Sequence, residues 1–290
     1  MLADYHLHCE FSSDSQEPME NQIERGIALH LNEMCFTDHA DYGTKRDWDD
    51  PRGIDYCPAD PYMNNDPDDK EPLANVDYPA YFKKLAEMQK KYSSQITIKK
   101  GLEFGIQTGT IPEFEKLFAK VQDHLDFVLL SMHQVDNKGL WNNEFQEGRS
   151  QKEYNDLYYE EIYKVQQSFK HYAVLAHLDL LVRYDPAGIY PFEKEKDIIA
   201  AILKQAIQDH KGIEINTSSW HYGLKDTQPS RAILKLYKDL GGRIITMGSD
   251  AHSTKYVADH FDDAKKILKE EIGFKEFCTF DHMEPIFHAL

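Results

Sequence analysis

Seven short apolar, β-branched runs recur along the chain, each followed by a longer amphipathic segment, and this alternation restricts the possible folds more than any other feature. The runs are Leu2–His6, Glu33–Thr37, Ile96–Glu103, Phe127–Met132, Ala173–His177, Gly212–Asn216 and Arg243–Met247. The helical patterns lie near Glu17–His30, Pro79–Tyr92, Ile111–Gln122, Lys152–Phe169, Phe192–His210, Ser230–Asp239 and Val257–Glu270. A strand that is followed by a crossover helix pairs in parallel with the next strand, so seven such units predict an α/β protein with a parallel sheet. The sheet is either a closed barrel or a doubly wound layer, and at 290 residues the length suits one barrel domain as well as two smaller domains. Pro18, Pro79, Pro112 and Pro229 stand where helix starts are expected, because a first-turn residue needs no donated N–H. Gly241-Gly242 closes the helix before the last strand.

The segment Ala40–Asp77 breaks the rhythm. Pro51, Pro58, Pro61, Pro67 and Pro72 interrupt any helix, and Asp47, Asp49, Asp50, Asp66, Asp68 and Asp69 load the segment with charge. Long irregular stretches inside compact domains commonly serve as lids. Tyr42, Trp48, Tyr56 and Tyr62 give this one aromatic surface to pack, so a lid over residues 40–77 is expected, whose acids would meet a cationic group. The whole chain carries a formal charge of −17, from 50 acidic against 33 basic residues, without a Lys/Arg-rich block. That disfavours a nucleic-acid groove or an anionic membrane surface and suits a small substrate with positive charge of its own. Cys9, Cys35, Cys57 and Cys278 are scattered without a Cys-x-x-Cys pair, as expected in a reducing compartment. No apolar run is long enough to span a bilayer, and Met1–His8 lacks the pattern of a signal peptide, so a cytoplasmic location is the expectation.

Polar residues gather at the carboxyl ends of the expected strands. His6 and His8 end the first, Asp38-His39 the second, Glu103 the third, His133 the fourth, His177 with Asp179 the fifth, and Asp250 with His252 the last. In parallel α/β architectures these ends converge on one face, where ligands bind. Any one of these residues alone reads as an ordinary core histidine or cap. Together they would be costly to bury without a compensating cation, so a metal centre is expected. Residues two apart in a strand point the same way, which directs His6 and His8 inward, with Leu7 and Cys9 on the other face. Imidazole with carboxylate and no thiolate suits zinc, iron or manganese. At least eight candidate ligands exceed the three or four one zinc takes, so two or three divalent ions are implied. Neighbouring ions of that kind suit hydrolysis of a phosphate ester.

The motifs His6-Leu-His8, Thr37-Asp-His39, Gly101-Leu-Glu103, Ser131-Met-His133, Ala176-His-Leu-Asp179 and Gly248-Ser-Asp-Ala-His252 resemble the ordered motifs of the polymerase and histidinol phosphatase (PHP) superfamily. Within it, Cys9–Ser15, Asp38–Tyr42 and His177–Tyr184 look most like the stand-alone histidinol-phosphate phosphatases of histidine biosynthesis. The resemblance implies a distorted, single-domain (β/α)7 TIM-like barrel with a trinuclear metal site. By that analogy His6, His8, Glu103 and Asp250 hold the first ion, and Glu103 bridges to a second held by His133 and His177. Asp14, His39 and His252 take the third, while Asp38 and Asp179 orient histidines or hold the loops. The implied reaction is hydrolysis of L-histidinol phosphate to L-histidinol and phosphate, by attack of a metal-bridging hydroxide on phosphorus. Asp250 is the expected proton acceptor. Arg183 and His221 follow the fifth and sixth strands and are expected to contact the phosphate, a guanidinium being suited to bidentate binding. The competing reading of Arg183 is a surface salt bridge with Asp185. Asp41 and Glu10 are candidates for the substrate's amine, Tyr42 or Trp220 for its imidazole, and Trp141 for the mouth of the site. The tail Gly273–Leu290 has no basic residue after Lys275, so it is not expected to bind phosphate. The alternative reading is a related phosphoesterase acting on nucleotides, oligonucleotides or phosphotyrosine.

Overall fold

A computed structural model describes residues 1–58 and 70–290. Pro61, Tyr62, Asp66, Pro67, Asp68 and Asp69 of the expected lid lie outside the described residues. In chain order, β1 (Ala3–Leu7), α1 (Met19–Ala28), β2 (Glu33–Phe36) and β3 (His39–Ala40) come first, then the short strands β4 (Tyr56–Pro58) and β5 (Lys70–Pro72). Next are α2 (Tyr78–Tyr92), β6 (Thr97–Gly105), α3 (Ile111–Val121), β7 (Phe127–Ser131), β8 (Gln134–Val135), β9 (Lys138–Gly139) and α4 (Gln151–Ser168). The remainder is β10 (Val174–Leu175), α5 (Phe192–Gln208), β11 (Gly212–Asn216), α6 (Arg231–Asp239), β12 (Ile245–Gly248), α7 (Phe261–Lys266), β13 (Glu276–Asp281) and β14 (Glu284–Ala289).

The main sheet runs β1-β2-β6-β7-β10-β11-β12 with every pair parallel, and β3 continues the pairing along β6. It nearly closes on itself, because Leu7 bridges to Ala251, the Asp250 N–H donates to the His6 carbonyl at 2.8 Å, and the His8 N–H donates to the Ala251 carbonyl at 3.0 Å. The result is the expected seven-stranded barrel ringed by helices. Its strands are buried on both faces because the interior is packed and the exterior lies under helices. Leu7 is fully buried beneath that outer layer. Helix starts follow the expected chemistry: Asp77 caps α2 by accepting from the Ala80 N–H at 3.1 Å, and Ser150 with Glu153 forms a capping box on α4. No helix among the described residues is long and apolar enough to cross a membrane.

Two regions depart from expectation. The segment after β3 is not irregular throughout: β4 and β5 pair antiparallel, and Arg46 exchanges backbone hydrogen bonds with Leu73 and Asn75, so a strap folds over the carboxyl end of the barrel. The last helix begins at Phe261 rather than Val257, since Ala258 and His260 adopt left-handed φ values of 52° and 57°, and it widens into a π-helical turn at Ile267–Ile272. Beyond it β13 and β14 form an unforeseen hairpin whose turn residues His282 and Met283 have positive φ without the usual Asn or Gly. Phe280 of that hairpin packs against Tyr5 and Phe127, and its N–H donates to the Tyr5 hydroxyl at 2.8 Å.

Candidate metal centre

His6 and His8 leave β1 on the inner face, and each ring is turned by its Nδ1 atom. His6 Nδ1 donates to Glu214 at 3.0 Å, and His8 Nδ1 lies 3.2 Å from the Ser12 hydroxyl. Both Nε2 atoms therefore point at Glu103, which is fully buried on β6. His6 Nε2 lies 3.2 Å from Glu103 Oε2 and 3.6 Å from Asp250 Oδ1, while His8 Nε2 lies 3.4 Å from each of these oxygens. A tetrahedral ion with bonds of about 2.0–2.1 Å has ligand-to-ligand edges of roughly 3.3–3.4 Å. The four histidine-to-carboxylate distances, 3.2–3.6 Å, bracket that spacing. His6 Nε2, His8 Nε2 and Glu103 Oε2 are buried and have no hydrogen-bond partner, which is the condition a cation would relieve.

The same geometry repeats on either side. Glu103 Oε1 lies 3.2 Å from His133 Nε2 and 2.9 Å from His177 Nε2, and accepts from the Ser131 hydroxyl at 2.5 Å. His133 is oriented by Asp41, which accepts from its Nδ1 at 2.7 Å. Asp14 Oδ2 lies 3.2 Å from His39 Nε2 and 3.4 Å from His252 Nε2, and the Asp250 carbonyl accepts from His252 Nδ1 at 3.0 Å. The His39 and His252 rings both stack against His8, at 4.3 and 4.2 Å. The structure thus brings all nine expected ligands into one cluster, within which several triads have ligand atoms lying within 4.8 Å of one another. Asp250 takes a left-handed φ of 55°, a strained conformation of the kind found at binding sites.

Burial opposes ionisation of Asp14, Glu103 and Asp250, but the surrounding imidazoles outweigh it and hold all three carboxyls well below the usual range. The histidines divide. Burial, with the facing His252 and His39 rings, holds His8 well below its ordinary value, and burial also lowers His177. For the others burial is overcome by carboxylates: Glu214, Glu103 and Asp250 hold His6 well above its ordinary value, Asp41 and Glu103 push His133 up to about 10, and Asp14 pushes His252 up to about 9. The cluster attracts positive charge, and metal ions would take the place of these protons.

Above the cluster lies a cavity of about 90 Å³. Its wall on the barrel side carries Arg183, Tyr184 and Tyr222, Trp141 borders it, and the strap contributes Lys45, Cys57, Glu71, Pro72 and Leu73. Arg183 does not pair with Asp185, whose carboxylate accepts from Tyr154 and Gln151. Instead its guanidinium donates to Ser218 Oγ at 2.6 Å and Gln228 Oε1 at 2.8 Å, reaches Asp250 Oδ2 at 3.4 Å, and lies 3.9 Å over the Tyr222 ring.

Several expected contacts fall elsewhere. His221 is not among the cavity-lining residues, because its ring stacks on Tyr256 at 4.2 Å, where burial drops its pKa to about 4. Tyr42 turns away, its hydroxyl donating to Asp47 at 2.7 Å and its ring meeting Phe114. Asp41 borders the cavity, but its carboxylate is shared between His133 and the Lys45 ammonium at 2.8 Å. Glu10 accepts from the Met19 N–H at the start of α1, and Trp220 packs on His260. Asp38 holds the Cys9–Ser12 loop through the Cys9 N–H at 2.8 Å and Asp179 holds the start of α6 through the Ser230 N–H at 2.9 Å, so neither touches a histidine ring. Glu214, Ser218, Gln228, Lys45 and Tyr222 were not anticipated. Glu214 had a legible signal, since an acid and Asn216 two residues on share the inner face of an otherwise apolar strand.

The chain shares 29% identity with the histidinol-phosphatase of Lactococcus lactis over 97% of its own length and 95% of that protein's. A histidinol-phosphatase of Saccharomyces cerevisiae is 19% identical, with 97% of this chain and 92% of that one covered. Among solved structures, the L. lactis histidinol phosphate phosphatase in complex with zinc, L-histidinol and phosphate superimposes with a TM-score of 0.80 at 28% identity, covering 98% of both chains. A Listeria monocytogenes structure shares the fold, with a TM-score of 0.74 at 18% identity over 90% of this chain and 99% of that one. The PHP domain profile matches residues 4–218, a span that takes in all but Asp250 and His252 of the clustered ligands. By that match, and by the barrel and cluster on which it falls, the chain belongs to the PHP domain family.

Proposed function

We propose that the protein is a metal-dependent phosphomonoesterase that hydrolyses L-histidinol phosphate to L-histidinol and phosphate. The observation that carries this reading is the end-to-end correspondence with the L. lactis phosphatase, whose structure holds zinc, L-histidinol and phosphate, over a chain with nine clustered histidine and carboxylate groups. His6, His8, Glu103 and Asp250 would hold one ion, Glu103 with His133 and His177 a second, and Asp14, His39 and His252 a third. When bound, such ions lower the pKa of a water and neutralise phosphoryl oxygens.

The chain's own groups supply the rest. Arg183 binds the phosphate, its guanidinium held ready by Ser218, Gln228 and the Tyr222 face, so that less freedom is lost on binding. Asp250 directs Oδ1 at the histidines and Oδ2 at Ser218, Asn216 and Arg183, and from that position its carboxylate takes the proton released by the attacking water and passes it to the departing alkoxide oxygen of L-histidinol. Glu71, on the strap side of the cavity, faces the ammonium of the amino alcohol. His221 serves the site indirectly, by packing against Tyr222 and Tyr256. Phosphate release from L-histidinol phosphate, a nucleoside monophosphate and phosphotyrosine tests the assignment. Histidinol phosphate is expected to have the highest kcat/KM, and a nucleotide or phosphotyrosine turned over equally well would overturn it.

A further inference from the structure

Behind the loop that carries Arg183, between α4, α5 and α6, lies a second cavity of about 220 Å³. Tyr159, Ile199 and Ile233 give it an apolar wall, Ile189 stands 70% exposed at its mouth, and Lys225 is exposed nearby. Three carboxylates also line it, the half-buried Asp226 and two deeper ones, Asp179 and Glu195, each only 4% exposed. Asp179 Oδ2 accepts from the Ser230 N–H and the Glu195 carboxyl lies against that of Asp156, but no donor of the protein reaches Asp179 Oδ1 or Glu195 Oε1, both of which are buried. Leaving such atoms unpaired is costly, and a native protein rarely does so twice in one cavity.

We propose that this cavity is a second ligand site, taking a small organic cation that places an ammonium against Asp179 and Glu195 and a short apolar body against Tyr159, Ile199 and Ile233. The volume is far above the 10–15 Å³ that one water needs and below the 300–1,000 Å³ of sites for drug-sized molecules, which matches a ligand of a few carbon atoms. Gln228 borders the cavity and accepts from Arg183 at 2.8 Å, so the site lies directly behind the proposed phosphate clamp, yet it shares no residue with the metal cluster.

The test is a titration of the metal-loaded protein at pH 8 with n-butylammonium and, separately, neutral n-butanol, followed through the methyl NMR signals of isoleucine and leucine. Saturable shifts at Ile189, Ile199 and Ile233 with the ammonium, at least tenfold weaker binding of the alcohol, and a tenfold or greater loss of ammonium affinity in Glu195→Gln are expected. The variant's unperturbed methyl spectrum reports that it is folded. Equal binding of the alcohol, undiminished binding by Glu195→Gln, or shifts confined to Leu73 and Leu180 at the metal-side cavity would each overturn the proposal.

Discussion

Glu214→Gln should weaken metal binding while leaving the barrel intact. Glu214 is fully buried and does three things at once: it accepts from His6 Nδ1 at 3.0 Å, from the His177 N–H at 2.7 Å and from Asn216 Nδ2 at 3.0 Å. Glutamine has nearly the same shape and keeps one acceptor oxygen for the His177 N–H. Its amide nitrogen cannot accept from His6, so one charge-assisted hydrogen bond is lost, worth about 1.5–3 kcal/mol. With 1.4 kcal/mol per factor of ten, that corresponds to roughly 10- to 150-fold weaker binding at the pair His6 and His8, in line with the 10–100-fold typical when a ligand's orienting partner is changed. Stripped protein would be titrated with zinc against a chromophoric chelator, with circular dichroism to check the fold. A Glu214→Gln protein that binds zinc within twofold of the wild type would refute the reasoning.

Gly248→Ala would place a methyl 2.5 Å from His6 Cβ and 2.6 Å from Glu214 Oε2, so the first histidine must shift. Overpacking of that kind costs about 1–3 kcal/mol, and a kcat reduced more than tenfold alongside a lowered Tm is expected in turnover and melting assays. Arg183→Lys keeps the charge but loses the paired bonds to Ser218 and Gln228 and the stacking on Tyr222, and should raise KM at least tenfold in steady-state kinetics. Burial and the adjacent Asp156 carboxylate push Glu195 up to about 7, against opposition from Lys152 and reinforcement by Glu160. A raised carboxyl favours the fold while protonated, so that stability is complete below the unfolded value of 4.5 and is lost as pH rises through 7. Glu195→Gln should therefore match the wild type near pH 4.5 and exceed it above pH 7. The difference is on the order of 1 kcal/mol after discounting for nearby water, or about 2 °C in Tm by calorimetry.

Much of this was legible because period and position are both written in the sequence. The alternation of apolar runs pointed to seven parallel strands, and polarity at their ends identified eight of the nine clustered groups, since a strand end determines where its side chains converge; Asp14, in the loop after β1, came only from the family resemblance. Direction beyond a strand end is another matter. Tyr42 is held by contacts distant from its strand end, its hydroxyl donating to Asp47 and its ring meeting Phe114 rather than the cavity. His221 follows the helical turn Ser218–Trp220, which delivers its ring to Tyr256. Lys45, Tyr222 and Gln228 reach the site from loops whose paths depend on tertiary pairing, such as the bridge between Arg46 and Ala74 and that between Asn216 and Gln228. The β13–β14 hairpin gave no signal because its turn uses His282 and Met283 instead of residues that favour positive φ.

The claim on which the account rests is that the clustered histidines and carboxylates hold catalytic ions. Phosphate release from L-histidinol phosphate, measured on chelator-stripped protein and again during stepwise return of zinc, tests it most directly. Activity should fall to background on stripping and recover with bound metal, reaching its plateau after at least two equivalents. Undiminished phosphate release by metal-free protein would contradict it.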